Sequence, residues 1–464
     1  MERELSSNKL GTEKMSKLVV SMAGPIIVSM LVQALYNIVD TMFVSSIEGS
    51  GAEAISALSL AFPWQNILIS TAVGTGVGMN ALLSRRLGQK QYDEASRVAG
   101  VGLLLYFISW VAILIATVAF VAPFVSFQVS ANADTTGAID ISVVSEYTRE
   151  YLYIVSGLSV GVMFQVYTER LLQSTGKTVL SMIVQLSGAL TNIILDPILI
   201  FVFDMGVAGA AIATVAGQFV SATIGFVFNL KFNKDISLSF KNVRFDGAII
   251  KKVYSVAVPS IVMSSIGSIM TTSMNMILLS IKQGGKTAMA VFGIFFKLLS
   301  FVNMPAFGLN NGMVPIIAYN YGARNKKRII QAIKVACVYV SCIMLVGTLI
   351  FQFMPNVLIN MFNQPELVST GVTALRILST PFMLAGFCIV LIGSFQALES
   401  SIYSVVISIC RQLGALIPLA YLFSLSGDVS LVWWAFPLAE VVSVILCFAF
   451  MRRVYLKKIK PLDQ

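Results

Sequence analysis

Asp40 lies five residues from the polar end of an apolar run, Leu18 to Ser45, in which it is the only charged residue. A carboxylate inside a membrane span costs about 2.5–3.5 kcal/mol on insertion scales, so one retained there has a partner or a task. A second acid, Asp196, occupies another apolar run, with Asn192 four residues before it and Pro197 directly after it; Thr214 follows in the next run. Counted along helices at about 1.5 Å per residue, Asp40, Asp196 and Thr214 fall in one layer, five to seven residues from the same membrane face. Asn192 shares the helical face of Asp196. Pro197 has no N–H to donate, which leaves the carbonyl of Ile193 spare. Two carboxylates, an amide oxygen, a hydroxyl and a carbonyl make a hard-oxygen set suited to Na⁺, or to a proton shared between the acids. Two blander readings stand beside this one: an Asp that snorkels or pairs near a helix end, and a polar cluster that only packs helices.

Other charges sit within apolar runs. Arg411 and Glu440 lie mid-run in neighbouring segments, where an internal salt bridge competes with a substrate or proton role. Glu169–Arg170, near a run's end, is expected to snorkel or pair locally; Lys297 and Glu399 have no single reading. The chain contains no histidine, which excludes His-based metal sites, triads and proton relays. Its five cysteines, Cys337, Cys342, Cys388, Cys410 and Cys447, fall in apolar runs and read as small buried hydrophobes rather than a disulfide framework. Gly176-Lys177-Thr178 and Gly285-Lys286-Thr287 look like the end of a phosphate-binding loop, but the required upstream glycine is Leu171 or Ser280. No nucleotide chemistry, cofactor or enzyme activity is expected.

The elements that must position these residues are membrane helices. The chain is 57% hydrophobic and 12% charged, against about 25% charged in soluble domains. Its apolar runs are long enough to span a ~30 Å hydrocarbon core, and barrel-type alternation is absent. Twelve runs are expected: 18–45, 53–83, 94–124, 147–171, 178–203, 207–230, 249–281, 286–319, 330–354, 370–397, 401–424 and 429–451. Of the 32 Lys and Arg, 26 fall in the two termini and alternate loops on one side, so both termini are expected to be cytoplasmic. The longest outer loop is acidic, with Asp134, Asp140, Glu146 and Glu150. The net charge of +10 is thus a mark of membrane orientation, and no nucleic-acid partner is expected. The 21 Met and 30 Phe serve mostly as core and lipid-facing surface, with some available to line an adaptable pocket.

The two halves repeat. Val19, Ser21, Ala23, Pro25, Ile27 and Val28 recur 234 residues later, as do Gly74, Gly78, Met79 and Gly88. After the long outer loop the offset becomes 223: Ser156, Phe164, Gln173, Ser181, Leu190, Ile194 and Ala216 match Ser379, Phe387, Gln396, Ser404, Leu413, Ile417 and Ala439. An even number of spans per repeat keeps the halves parallel, related by a pseudo-two-fold axis along the membrane normal, as in transporters with a central site. The fold class is therefore all-α and polytopic, with twelve transmembrane helices in two six-helix lobes. The expected organisation is a tail 1–17, an N-lobe 18–230, a cytoplasmic loop 231–248, a C-lobe 249–451 and a tail 452–464. Gly74-x-x-x-Gly78 and Gly308-x-x-x-Gly312 are expected to let helices approach closely. Asp40 aligns with Met274 and Asp196 with Leu419, so the shared fold does not need either acid.

Several motifs together resemble one family. They are Pro25, Gln33, Tyr36-Asn37 and Asp40-Thr41 in span 1; Gly88, Tyr92 and Ala95; Gln173 to Gly176; Asn192-x-x-x-Asp196-Pro197; Gly206-x-x-Gly209 through Thr214; and Arg411-Gln412 with Pro418. Along nearly its whole length the chain resembles the multidrug and toxic compound extrusion transporters, and Pro437-Leu-Ala-Glu440 looks most like their MepA-like bacterial branch. The resemblance implies a secondary active antiporter exporting lipophilic, mostly cationic compounds in exchange for Na⁺ or H⁺. It assigns Asp40, Asn192, Asp196 and Thr214 to the coupling-cation site, which Na⁺ can occupy. Gln33, Tyr36, Asn37, Asn275, Arg411 and Glu440 are candidates for substrate contact or gating. A monomer in the plasma membrane of a prokaryote, in contact with lipids and small-molecule substrates, is the expected setting. Some members carry an acid in span 7 where this chain has Ser273, Met274 and Asn275, so a C-lobe site built on that acid is not expected. A lipid-linked precursor flippase is the rival, disfavoured by the few cationic residues inside spans; a membrane-embedded enzyme is a more distant one.

Overall fold

A computed structural model describes residues 8–132, 140–282, 284–362 and 364–463; Asp134 and residues 1–7 of the amino-terminal tail lie outside this set. Among the described residues the elements are helical, with no strand. In chain order the α-helices are α1 Lys9–Thr12, α2 Met15–Ser45, α3 Gly51–Gly88, α4 Tyr92–Asn132, α5 Ile141–Gly157, α6 Val160–Ser174, α7 Thr178–Pro197, α8 Gly206–Phe232, α9 Gly247–Ser280, α10 Gly285–Gly322, α11 Lys326–Phe353, α12 Pro355–Asn360, α13 Val368–Ser379, α14 Phe382–Ala397, α15 Ser401–Ile409, α16 Ile417–Ser424, α17 Val429–Trp433 and α18 Ala435–Val454. Of three π-helical segments, Ile198–Val202 continues α7, Cys410–Leu416 joins α15 to α16 and Tyr455–Ile459 continues α18. Ten of these runs are long and apolar enough to cross a membrane, and two bent pairs bring the number to twelve when each counts as one span. Each pair bends by 46°, at Leu158–Ser159 in one and Thr380–Pro381 in the other. Leu158 and Pro381 are equivalent in the 223-residue register. The all-α polytopic fold read from the sequence is therefore the one observed.

The repeat extends to backbone conformation. Left-handed residues occur in matched positions: Lys90 (φ 59°) with Arg324 (φ 57°), Gly176 (φ 85°) with Glu399 (φ 51°), and Asp204 (φ 52°) with Gly427 (φ 75°). Turn geometry is kept where residue type is not, although a left-handed non-glycine residue costs roughly 1–2 kcal/mol. In the outer segment Asp140 caps α5, accepting from Ser142 N at 2.9 Å and Ser142 Oγ at 2.6 Å, which holds its carboxyl below the usual carboxylate range.

The chain forms two compact units. One comprises the amino-terminal stretch through Ile27, Gly88–Lys90 and everything from Val258 onward; the other comprises Val28–Leu87 and Gln91–Ala257. The lobe limits expected from the sequence fall between helices, whereas these units divide inside α2 and α9, close to Pro25 and Pro259. Within the first unit, Gly308 and Gly312 of α10 meet the backbone of Ile27 and Ala23 on α2. Leu10 of α1 is fully buried in the same unit, and its carbonyl accepts from Asn320 Nδ2 at 3.0 Å and Arg328 Nη2 at 3.2 Å. Within the second unit, Gly78 of α3 abuts the backbone of Val253 at the start of α9. The small residues thus serve close helix packing, as their spacing suggested.

A Cβ on Gly312 would lie 2.8 Å from both Cα and N of Ala23, backbone atoms that cannot rotate away. Gly312→Ala is expected to lower stability by about 1–3 kcal/mol, read as a lower melting temperature of the detergent-purified protein. Gly24→Ala, where no heavy atom lies within 4 Å, is expected to stay within about 0.5 kcal/mol of the parent.

Candidate cation site and its cavity

Three helices of the second unit carry polar stripes on otherwise apolar surfaces. α2 presents Gln33, Tyr36 and Asp40 at i, i+3 and i+7; α7 presents Gln185, Asn192 and Asp196; α8 presents Thr214 and Gln218. Such spacings put each set on one helical face. α7 and α8 approach through glycine: a Cβ on Gly188 would lie 2.7 Å from the Gly217 carbonyl oxygen, and one on Gly217 would lie 2.6 Å from that of Gly188. This crossing sits one turn from Asn192 and one turn from Thr214, so backbone contact there brings the two side chains together.

Asn192 is the hub. Its Nδ2 donates to Asp196 Oδ1 at 3.3 Å and to Thr214 Oγ1 at 3.4 Å. Asp196 is fully buried and Asn192 is 3% exposed. The carboxyl of Asp40 comes within hydrogen-bonding reach of that of Asp196. No described residue supplies a hydrogen-bond donor to Asp40 Oδ1, Asn192 Oδ1 or Asp196 Oδ2, although all three oxygens are buried. Buried acceptors left this way are costly, and two ionised carboxylates this close repel. A small cation or a proton relieves both penalties, and the oxygens are of the hard type that suits either.

Beside this group lies a small, partly open cavity. Its wall includes Gln33, Tyr36, Gln165, Gln185, Asn192, Thr214 and Gln218, with Gly188 and Gly217 at the helix crossing. Gln185 Nε2 donates to Gln33 Oε1 at 2.8 Å, tying α7 to α2. The carboxyl pair is not part of the wall; Asn192, which is, links the cavity to Asp196.

The four residues expected to form the cation site are therefore assembled in one place. Gln33 and Tyr36 line the cavity, whereas Asn37 is exposed and outside its wall. Asn275, Arg411 and Glu440 belong to the other unit. There Arg411 Nη1 meets Glu440 Oε2 at 3.2 Å, with Glu440 6% exposed, so the internal salt bridge read from the sequence is present. The expectation that Glu169 and Arg170 snorkel or pair locally changes in form. Both are buried, at 8% and 7% exposure; Glu169 Oε1 accepts from Gln165 at 3.1 Å and Arg170 Nη1 donates to Gln173 Oε1 at 3.0 Å. They sit inside the bundle because glutamines satisfy them there. Sequence reasoning missed Gln165, Gln185 and Gln218. The signal was available: Gln185 precedes Asn192 by seven residues, Gln218 follows Thr214 by four, and Gln165 precedes Glu169 by four.

Comparison with known proteins adds an independent line. A family model, MatE, matches residues 25–198 and again residues 259–422. The chain belongs to the MatE family. The two matched blocks begin at Pro25 and Pro259, the equivalent prolines of the internal repeat. Relatives include proteins named "Multidrug export protein MepA" from Staphylococcus haemolyticus, 27% identical over 91% of this chain and 90% of that protein, and from Staphylococcus saprophyticus, 28% identical over 93% and 92%. A solved structure described as the outward-facing conformation of a multidrug resistance MATE family transporter covers all of both chains with a TM-score of 0.88 at 24% identity, which shows the shared fold. As a MepA-like MatE protein the chain is a multi-span membrane transporter, not an enzyme, of a family that uses ion gradients and needs no cofactor.

The glycine crossing is the geometric basis of the site. Gly217→Ala would press a methyl group onto the Gly188 carbonyl and toward Asn192 Cβ, which a Cβ there would meet at 3.4 Å. The expected result is a loss of about 1–3 kcal/mol of stability together with reduced efflux per inserted transporter. Thermal unfolding and expression-normalised efflux measure the two effects; parent-like values for both would remove the crossing from its role.

Proposed function

We propose that this MatE-family chain is a secondary active antiporter, exporting lipophilic, mostly cationic compounds in exchange for Na⁺ or H⁺ by alternating access. The plasma membrane of a prokaryote is its proposed location, the MepA relatives being staphylococcal, with both termini cytoplasmic as the Lys and Arg distribution suggests. The observation that carries this reading is the paired carboxyl groups of Asp40 and Asp196, joined to Asn192 and Thr214 beside a cavity. Their repeat equivalents are Met274 and Leu419, so the pair serves something other than the common fold.

The pair's charge is the coupling element. Loaded with Na⁺ or a proton, it is at least partly neutralised and α2 and α7 can stay close. Unloaded, two carboxylates repel in a medium of low dielectric. Cation occupancy therefore favours one arrangement of these helices over another, and an ion shifts a conformational equilibrium only by such differential affinity. Pro25 in α2 interrupts the hydrogen-bond ladder and gives that helix a place to bend. On the substrate side, the neutral amides of Gln33, Gln165, Gln185 and Gln218 can exchange hydrogen bonds with varied polar groups, and the Tyr36 ring offers a cation a π face. A cationic substrate and the coupling ion both draw on the negative potential of the Asp40–Asp196 pair, so loading one weakens the other, as exchange requires.

Asp40→Asn keeps the shape and removes the charge. In proteoliposomes with Na⁺ and pH gradients imposed separately, the variant is expected to insert normally and lose gradient-driven efflux by about tenfold or more. Stimulation of the parent by one gradient alone identifies the coupling ion. Parent-like efflux by the variant under both gradients would sink the assignment.

A further inference from the structure

In the 223-residue register, Gly188 and Gly217 correspond to Arg411 and Glu440. The close glycine crossing of α7 and α8 in one unit is thus replaced, in the other, by the 3.2 Å ion pair between the π-helical segment Cys410–Leu416 and α18. The correspondence continues around the cavity wall: Gln165, Gln185 and Ala189 match Cys388, Ser408 and Gln412. The twin positions of that wall are Cys388, Ser408 and Gln412, beside the paired Arg411 and Glu440.

The Arg411–Glu440 pair is satisfied on one side only. Glu440 gives Oε2 to Arg411, while its other oxygen, Oε1, is buried and has no hydrogen-bond partner among the described residues. Gln412 Oε1 is in the same condition, in a residue 6% exposed. Arg411 holds Glu440 through one nitrogen rather than as a bidentate fork, the stronger geometry. Its side chain remains 31% exposed, against 8% for that of Glu440. The cation is the accessible, movable partner and the anion is the fixed one. π-helical segments of this kind occur often at functional sites.

We propose that Glu440 is a second cation-binding carboxylate, for organic monocations bearing N–H donors, and that Arg411 is its resident competitor, displaced when such a ligand arrives. Glu440 Oε1 is the acceptor awaiting the ligand's donors. Arg411 keeps the buried carboxylate compensated between ligands, avoiding the penalty of a lone buried charge. This inference rests on the cationic-substrate reading above but concerns a different site, one without a part in ion coupling.

The test is equilibrium binding of ethidium, a lipophilic monocation with amino donors, to the purified full-length transporter. An internal competitor lowers apparent affinity by the fraction of time it leaves the site free. Arg411→Met is therefore expected to tighten binding about tenfold or more, the reverse of what loss of a structural bridge does. Glu440→Gln keeps the shape and a neutral hydrogen bond to Arg411, and is expected to weaken binding about tenfold. The charge swap R411E/E440R should not restore parent affinity. Weaker binding in both single variants with recovery in the swap would reduce the pair to a structural bridge and overturn the proposal. Should Arg411→Met not yield monodisperse protein, Glu440→Gln decides alone: parent-like ethidium affinity in it overturns the proposal. Ethidium that fails to bind the parent defeats the cationic-substrate reading itself, whereas binding that is unaffected by Glu440→Gln defeats only this one.

Discussion

A carboxylate inside a bilayer cannot draw on water, so its charge must be met by whatever the protein and its ligands bring to it. In the unit built from Val28–Leu87 and Gln91–Ala257 that role falls to the neighbours of Asp40 and Asp196. Asn192 meets Asp196 with one amide and still leaves buried oxygens without donors. The protein could have met the charge with an Arg or Lys, as Arg411 meets that of Glu440. Leaving the set of donors incomplete costs stability and, under the proposed function, is what would make the site responsive to a small cation. Around it lie the glycine crossing that lets α7 and α8 touch, the π-helical turn after Pro197 and the amide-lined cavity.

The repeat shows how one backbone plan takes two chemistries. At the equivalent helix crossing, Gly188 and Gly217 in one unit become Arg411 and Glu440 in the other. A second exchange runs in the opposite sense across another pair of helices. Gly76 of α3 accommodates Arg170 of α6, while its equivalent Asn310 of α10 faces Gly393 of α14, the equivalent of Arg170. Large and small partners trade places while the packing volume is held, as close-packed interiors require. The left-handed turn shared by Gly176 and Glu399 belongs to the same pattern, with geometry preserved and residue type free to carry local function.

Much of this was legible in the sequence because hydrocarbon is a strict solvent. Charge inside an apolar run is rare enough to be read residue by residue, which is how Asp40, Asp196, Arg411 and Glu440 stood out. Run length gave the spans, and the fixed offsets gave the repeat. What escaped was of two kinds. Neutral amides such as Gln165, Gln185 and Gln218 carry no charge penalty, so nothing flags them until three helices converge; their helical spacing to Asn192, Thr214 and Glu169 is visible only once those residues are known to matter. The division inside α2 and α9 also escaped, because hydropathy marks where a helix leaves the membrane and not which neighbours it packs on along its length. For Glu169 and Arg170 the local-pairing half of the expectation holds, through Gln165 and Gln173 four and three residues away, and only the snorkelling half gives way to burial.

The prolines at those divisions connect packing to function. Pro25 and Pro259 are repeat equivalents, each within the helix that opens its repeat. Near each, the helix changes allegiance from one compact unit to the other, with the change after Ile27 in α2 and after Ala257 in α9. A proline removes one backbone hydrogen bond and clashes with the preceding turn, so bending is cheapest there. In α2 the segment beyond Pro25 carries Gln33, Tyr36 and Asp40, while the segment before it is held by Gly312 and by the Leu10 anchor. Under the proposed coupling, a change in repulsion between Asp40 and Asp196 would act on the part of α2 beyond Pro25, with the proline as the place where bending is cheapest.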